Sequence, residues 1–208
     1  MSDLARNPGR DKVIAVVTAG LTTPSSSRLL ADQLAEAVRD ELSGRGIGSR
    51  IELIEVRDHA HDLTNNLLTG FPSAALREVL ETVAGADALI VVSPTFSASY
   101  SGLFKMFFDV LDDKALAGKP VLLAATGGTE RHSLVLEFAL RPLFAYLKAL
   151  PVATGVYAAS TDWGVNAATL RPRITQAAAE LVAALHHETP TQADPFDNPT
   201  PFEDLLNS

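Results

Sequence analysis

From residue 13 onward, short apolar runs alternate with stretches in which apolar positions recur every third or fourth residue. Residues 13–18, Val-Ile-Ala-Val-Val-Thr, and 88–93, Ala-Leu-Ile-Val-Val-Ser, are almost unbroken, as strands covered on both faces of a parallel sheet are. Strands are also expected at 120–125 and 152–158, and at 50–56, where alternating polarity points to a half-exposed sheet edge. Leu30, Leu34, Val38 and Leu42 mark a helix closed at Gly44-Arg45-Gly46; Leu76, Val79, Leu80 and Val83 mark another, with Ser73 as its N-cap. Further helices are expected over 102–111, over 134–150 with Pro142 kinking it or starting a second one, and along Leu170, Ile174, Ala178, Leu181 and Leu185. Residues 58–71 read as a polar loop. Five strands with helical crossovers define an α/β three-layer sandwich on a five-stranded parallel sheet, and 2-1-3-4-5 is the commonest small order.

Composition narrows the classes. A chain of 208 residues is enough for one core, so a single domain is expected over residues 1–188. Residues 189–208, with four prolines and no period, read as an acidic tail; Phe196, Phe202, Leu205 and Leu206 give it the look of a docking peptide. The absence of cysteine excludes disulfides, thiolate metal sites and a cysteine nucleophile. No run approaches the roughly 20 apolar residues of a membrane span, and no leader pattern opens the chain, so a cytoplasmic protein is expected. Seventeen basic residues against 25 acidic give a formal charge of -8, which disfavours nucleic acid and anionic membrane as partners. Any bound anion must therefore be held by local geometry.

In a sheet of this order ligands bind beyond the carboxyl ends of the strands, which directs attention to three loops. After the first strand comes Gly20-Leu21-Thr22-Thr23-Pro24-Ser25-Ser26-Ser27-Arg28, five hydroxyls before a helix N-terminus. That chemistry suits a phosphate, although the same serines would cap a helix with no ligand present. After the third strand, Ser93-Pro94-Thr95-Phe96-Ser97-Ala98-Ser99-Tyr100-Ser101-Gly102 combines small residues with two aromatics, a shape that lets a planar ring approach the main chain; equally, both aromatics would serve a core. After the fourth strand, Thr126-Gly127-Gly128 permits positive φ and close backbone approach, as a plain tight turn also would.

Taken together, the three loops resemble those of the NAD(P)H-dependent FMN reductases of flavodoxin-like fold, in particular the branch partnered with luciferase-like monooxygenases. The resemblance runs from about residue 13 to 156. Its most specific stretch is Pro94 to Asp109, with an aromatic, small residues, Gly102, Leu103, Lys105 and Asp109 in the family's order. It implies that Gly20, Thr22, Ser25, Ser26 and Ser27 surround the FMN phosphate, that Pro94, Thr95, Phe96, Ser97 and Ala98 lie along the isoalloxazine ring, and that Thr126, Gly127 and Gly128 flank its far edge. The family's first loop usually opens Gly-Ser and carries an arginine, where this chain has Ala19-Gly20 and Thr22; the family tyrosine of the third-strand loop is Phe96. The resemblance also implies FMN as cofactor, NADPH or NADH as hydride donor, a homodimer, and a flavin-dependent monooxygenase as recipient of reduced flavin. A reductase holding FMN tightly and passing electrons to quinones, azo dyes or metal oxyanions shares every motif, and a non-catalytic flavodoxin-type carrier shares most.

No catalytic acid, base or nucleophile is expected, because hydride transfer is the cofactors' own chemistry and the protein supplies orientation and electrostatics. Gly44-Arg45-Gly46-Ile47-Gly48 follows a helix and precedes a strand, the wrong order for a dinucleotide fingerprint. His59 and His61 have same-side strand spacing but no companion ligands, and His186-His187 suit a helix C-terminus. His132, near the glycine pair, is placed to meet a substrate or a pyrophosphate, or simply solvent. Lys105 and Asp109 read as a surface pair. Walker A and Gly-x-Ser-x-Gly motifs are missing, and the acidic residues of a receiver domain are replaced by Thr18 and Ser93-Pro94.

Overall fold

The computed structural model describes residues 10–163 and 167–185. In chain order the main elements are β1 (Lys12–Thr18), α1 (Ser26–Gly44), β2 (Ser49–Glu55), α2 (Ala60–Thr69), α3 (Ala74–Gly85), β3 (Ala88–Phe96), β4 (Ser99–Tyr100), α4 (Gly102–Asp109), β5 (Pro120–Gly127), α5 (Arg141–Tyr146), β6 (Leu150–Pro151), β7 (Val156–Ala159) and α6 (Ala167–Ala184). The sheet runs β2-β1-β3-β5-β6, all parallel, with β7 also on β5 and β4 folded back antiparallel on β3. This is the expected flavodoxin-like order, with the fifth strand divided into β6 and β7.

Successive strand residues serve opposite layers. Ile14, Val16, Ile90, Val92, Leu122 and Ala124 pack beneath α1 and α6; Ala15, Val17, Leu89, Val91, Val121 and Leu123 pack against α2 to α5. Most of these side chains are fully buried, and each large one contributes roughly 1.5–3 kcal/mol of transfer free energy. On the second layer Phe104, Phe107, Phe108 and Phe144 form an aromatic cluster with centroids 4.7 to 6.3 Å apart, which fixes α4 directly below the third-strand loop.

Four expectations need correction. Residues 58–71 are largely helical: a short turn over Val56–His59 leads into α2. Only Leu63 and Asn66 of α2 are buried, while Leu67 and Leu68 stay exposed, so the segment lacks the apolar stripe that would announce a helix. Gly70 at φ 79 ends it, donating its N–H to Asn66 O. His59 and His61 consequently belong to a helical turn and to α2, not to one face of a strand. The helix expected over 134–150 ends too late: a π-helical turn, Leu136–Leu140, is followed by α5, where Pro142 starts a second helix as one of the two readings had it, but α5 stops at Tyr146 and Leu150 already belongs to β6. Finally, residues 152–155 interrupt the fifth strand because side chains take over their hydrogen bonds. Arg141 donates to Val152 O and Ala153 O (both 3.1 Å), and Glu180 accepts from Thr154 N and Oγ1 (both 2.7 Å). Residues 186–208, with His186-His187 and the tail, lie outside the described residues.

Candidate functional site

The carboxyl ends of β1, β3 and β5 bring the three loops together. Ser25 is the N-cap of α1, its hydroxyl accepting from Arg28 N at 3.3 Å, which leaves the first amides of the helix, at Ser26 and Ser27, without intrahelical partners. A 19-residue helix directs the positive end of its dipole at the same point. The Ser25 and exposed Ser26 hydroxyls remain able to donate to an anion. Two other members of the serine-threonine set are engaged within the protein: Thr22 donates to Pro24 O at 2.9 Å, and buried Ser27 shares a 2.8 Å hydrogen bond with Thr126 Oγ1. That last bond ties the first loop to the end of β5, so the Thr126 side chain lies beneath the N-terminus of α1. Gly20 is required by closeness, since a Cβ there would collide with Ser25 Oγ and dislodge the cap.

The third-strand loop is a two-residue hairpin. Thr95 pairs with Tyr100 and Phe96 with Ser99, and the turn residues Ser97 and Ala98 both adopt positive φ, 48° and 65°. Such turns normally use Asn-Gly or Gly-Gly, because left-handed backbone costs a residue with a Cβ roughly 1 kcal/mol. Buried Ser93 braces the loop, accepting from Ser101 N at 3.0 Å and donating to Pro94 O at 2.9 Å, and Ser101 caps α4. The two aromatics separate: Tyr100 packs on Phe104 with centroids 5.8 Å apart, whereas Phe96 is 47% exposed at the hairpin rim.

Neither Gly127 nor Gly128 uses the positive φ that glycine permits; of the two possibilities, close approach is the one realised, at Gly127. A Cβ on Gly127 would collide with Tyr157 Oη and come within 3.6 Å of Thr95 Cβ, while the position beside Gly128 is open. Tyr157, nearly buried in β7, donates to Thr129 O at 2.8 Å and holds the glycine loop against the hairpin. Burial pushes its phenol above the ordinary value of 10, so it is a neutral strut at physiological pH.

Two arginines that the motif reading did not single out support the first loop. Arg57 donates to Thr22 O at 3.2 Å and to Thr23 Oγ1, and pairs with Glu55 Oε2 at 2.9 Å. Arg28 pairs with Asp32 and Glu55, and its pKa is raised chiefly by the hydrogen bond to Asp32. Arg28 was visible beside the serines; Arg57 carried no signal, because only the folded β2 end places it there. Lys105 and Asp109 form the expected exposed pair.

Two buried hydroxyl oxygens, Thr18 Oγ1 at the end of β1 and Thr95 Oγ1 in the hairpin, make no hydrogen bond of good geometry. Buried polar atoms are rarely left so, and both stand where the three loops meet. Unspent helix amides, serine donors, an exposed aromatic edge and a glycine-lined approach together fit a group that carries a phosphate at one end and a planar ring at the other.

A parallel sheet of this order with such a cradle at its carboxyl edge defines a flavodoxin-like nucleotide-binding protein. The chain belongs to the NADPH-dependent FMN reductase family, whose sequence profile matches residues 12–164. It is 42% identical over 177 residues to an FMN reductase (NADPH) of Pseudomonas aeruginosa, covering 84% of this chain and 91% of that protein. It is 39% identical over 179 residues to the NADH-dependent FMN reductase SfnE of Pseudomonas putida, covering 84% and 94%. Among solved structures, an oxidoreductase of Corynebacterium diphtheriae superposes with a TM-score of 0.83 at 44% identity, over 86% of this chain and 99% of that one. The protein is thus an NAD(P)H:FMN oxidoreductase, with FMN as flavin and NADPH or NADH as hydride donor.

Proposed function

We propose that this reductase binds FMN with its phosphate at Ser25, Ser26 and the first amides of α1 and its ring along Pro94 to Ala98, and releases the reduced flavin to a flavin-dependent monooxygenase. The observation that carries the reading is the open cradle: Ser26, Phe96 and Gly128 are exposed, and no described residue closes over them. Gly20 and Thr22 shape the first loop, and Ser27 with Thr126 fixes it to β5, so these residues position the donors and do not themselves need to touch the phosphate. Thr95 stands beside Gly127 with its buried hydroxyl next to the Tyr157 phenol. When bound, FMN accepts a hydride from reduced nicotinamide, and the protein's part is to hold the ring edge against preorganised amide dipoles. No side chain has to gain or lose a proton in this scheme.

A cytoplasmic homodimer belongs to the same proposal. Phe138 and Tyr146, 78% and 84% exposed on neighbouring helical turns, offer apolar surface for it. No described helix is long and apolar enough to cross a membrane.

The test is NADPH and NADH oxidation by purified protein with and without added FMN, alongside a quinone acceptor. Oxidation that depends on added FMN, with free reduced flavin able to support a monooxygenase across a dialysis membrane, is expected. Turnover of quinone by protein that retains its flavin through gel filtration would overturn the supply role and favour a tightly bound cofactor.

A further inference from the structure

A string of charges runs around the outside of the first loop. Glu55, the last residue of β2, gives one carboxylate oxygen to each of two arginines: Oε1 to Arg28 Nη1, and Oε2 to Arg57 Nε at 2.9 Å. Arg28 is held a second time by Asp32 at 2.9 Å, and Arg57 a second time by Asp58 at 3.5 Å. Three carboxylates on two guanidiniums leave one negative charge in excess beside the loop. The bridging Glu55 side chain is 19% exposed, whereas Asp32 and Asp58 lie open to solvent, so its field is the least screened of the three.

Both arginines stand at the loop. Arg28 follows Ser27 in the first turn of α1, with its amide donating to the Ser25 cap, and Arg57 donates to Thr22 O and Thr23 Oγ1. A guanidinium fork matches phosphate oxygens, and such charge-assisted bonds are roughly twice as strong as neutral ones. Here the forks already face carboxylates, which leaves hydroxyls and helix amides as the donors for a phosphate. A purely structural role for Glu55, neutralising an arginine at the positive end of a helix, would stabilise the fold without affecting the choice of flavin.

We infer that Glu55 is a positioning residue that restrains flavin affinity: it keeps Arg28 and Arg57 turned to its own carboxylate, so that the FMN phosphate is held by uncharged donors and the reduced flavin is free to leave. The inference rests on the phosphate placement proposed above. It acts on the phosphate alone, because the ring lies along the hairpin, on the far side of the first loop from β2.

Fluorescence titration with FMN and with riboflavin, which lacks the phosphate, tests this without turnover. In Glu55→Gln the Kd for FMN should fall roughly fivefold, as expected when one charge is removed near a dianion, while that for riboflavin stays within about twofold of the parent. Glu55→Asp, which keeps the charge, should return FMN binding toward the parental value. Asp58→Asn, at the exposed end of the string, loosens only Arg57 and should tighten FMN about twofold; it decides the matter if Glu55→Gln does not fold. FMN binding that is unchanged or weaker in the folded variants, or riboflavin binding that tightens equally, would overturn the role of Glu55. Equal affinity of the parent for FMN and riboflavin, unmoved by Ser26→Ala, would instead remove the phosphate placement.

Discussion

At the residue scale the site depends on side chains that are absent. Gly127 is open to Tyr157 so closely that any Cβ forces the phenol away from Thr129 O. Gly127→Ala is therefore expected to cost about 1–3 kcal/mol of stability through overpacking and to weaken FMN binding roughly tenfold. Thermal melts and flavin fluorescence titration measure the two effects. Tyr157→Phe, which removes only the hydrogen bond, should cost less in both. This requirement was half legible: the Gly-Gly pair marked a place of close approach, but its partner Tyr157, beyond the break in the fifth strand, had no sequence signal. The serine-rich loop was readable as an anion site, yet which hydroxyls are spent on Pro24 and Thr126 and which remain free follows only from the tertiary pairing of β1, α1 and β5.

At the scale of elements, the hairpin between β3 and β4 carries two left-handed residues that are not glycine. Removing one Cβ at Ala98 should relieve about 0.5–1 kcal/mol, after the larger unfolded-state entropy of glycine is subtracted, and raise Tm by roughly 1–3 °C. Differential scanning calorimetry of Ala98→Gly checks this; a lower Tm would show that the turn is held without strain. Strained turns of this kind persist where surrounding contacts over-determine them, here the Ser93 bracing and the β4 pairing. Strands buried on both faces and helices with a full apolar stripe were plain in the sequence, because burial dictates both periods. The α2 helix was not, since it buries only one leucine and one asparagine, and the break in the fifth strand was not, since it is made by an arginine and a glutamate from the helices before and after it.

At the scale of the whole molecule, acid sensitivity has a definite sign. Glu180 is subject first to burial, which would raise its pKa, but hydrogen bonds from Thr154 Oγ1, Thr154 N and Gln176 outweigh it and hold the carboxyl below its ordinary 4.5. Glu137 is lowered by its hydrogen bonds from Arg141. A carboxyl lowered in the native state contributes stability that is present above its unfolded value and lost as pH falls through the native one. Tm should therefore decline as the solution is taken from pH 5 toward pH 3, and the decline should be shallower in Glu180→Gln. An unchanged slope would show that Thr154 is held without the charge.

The stitched gap at residues 152–155 has a consequence for how copies of this protein meet in a crowded solution. A long, straight outermost strand would present a row of idle amides on which another polypeptide could add itself, the usual seed of fibrils and exchanged domains. Here the outermost row is cut into pieces of two and four residues, and its intervening carbonyls already belong to Arg141. That margin offers little template, and the uninterrupted edge that remains, the seven residues of β2, lies on the opposite side of the sheet.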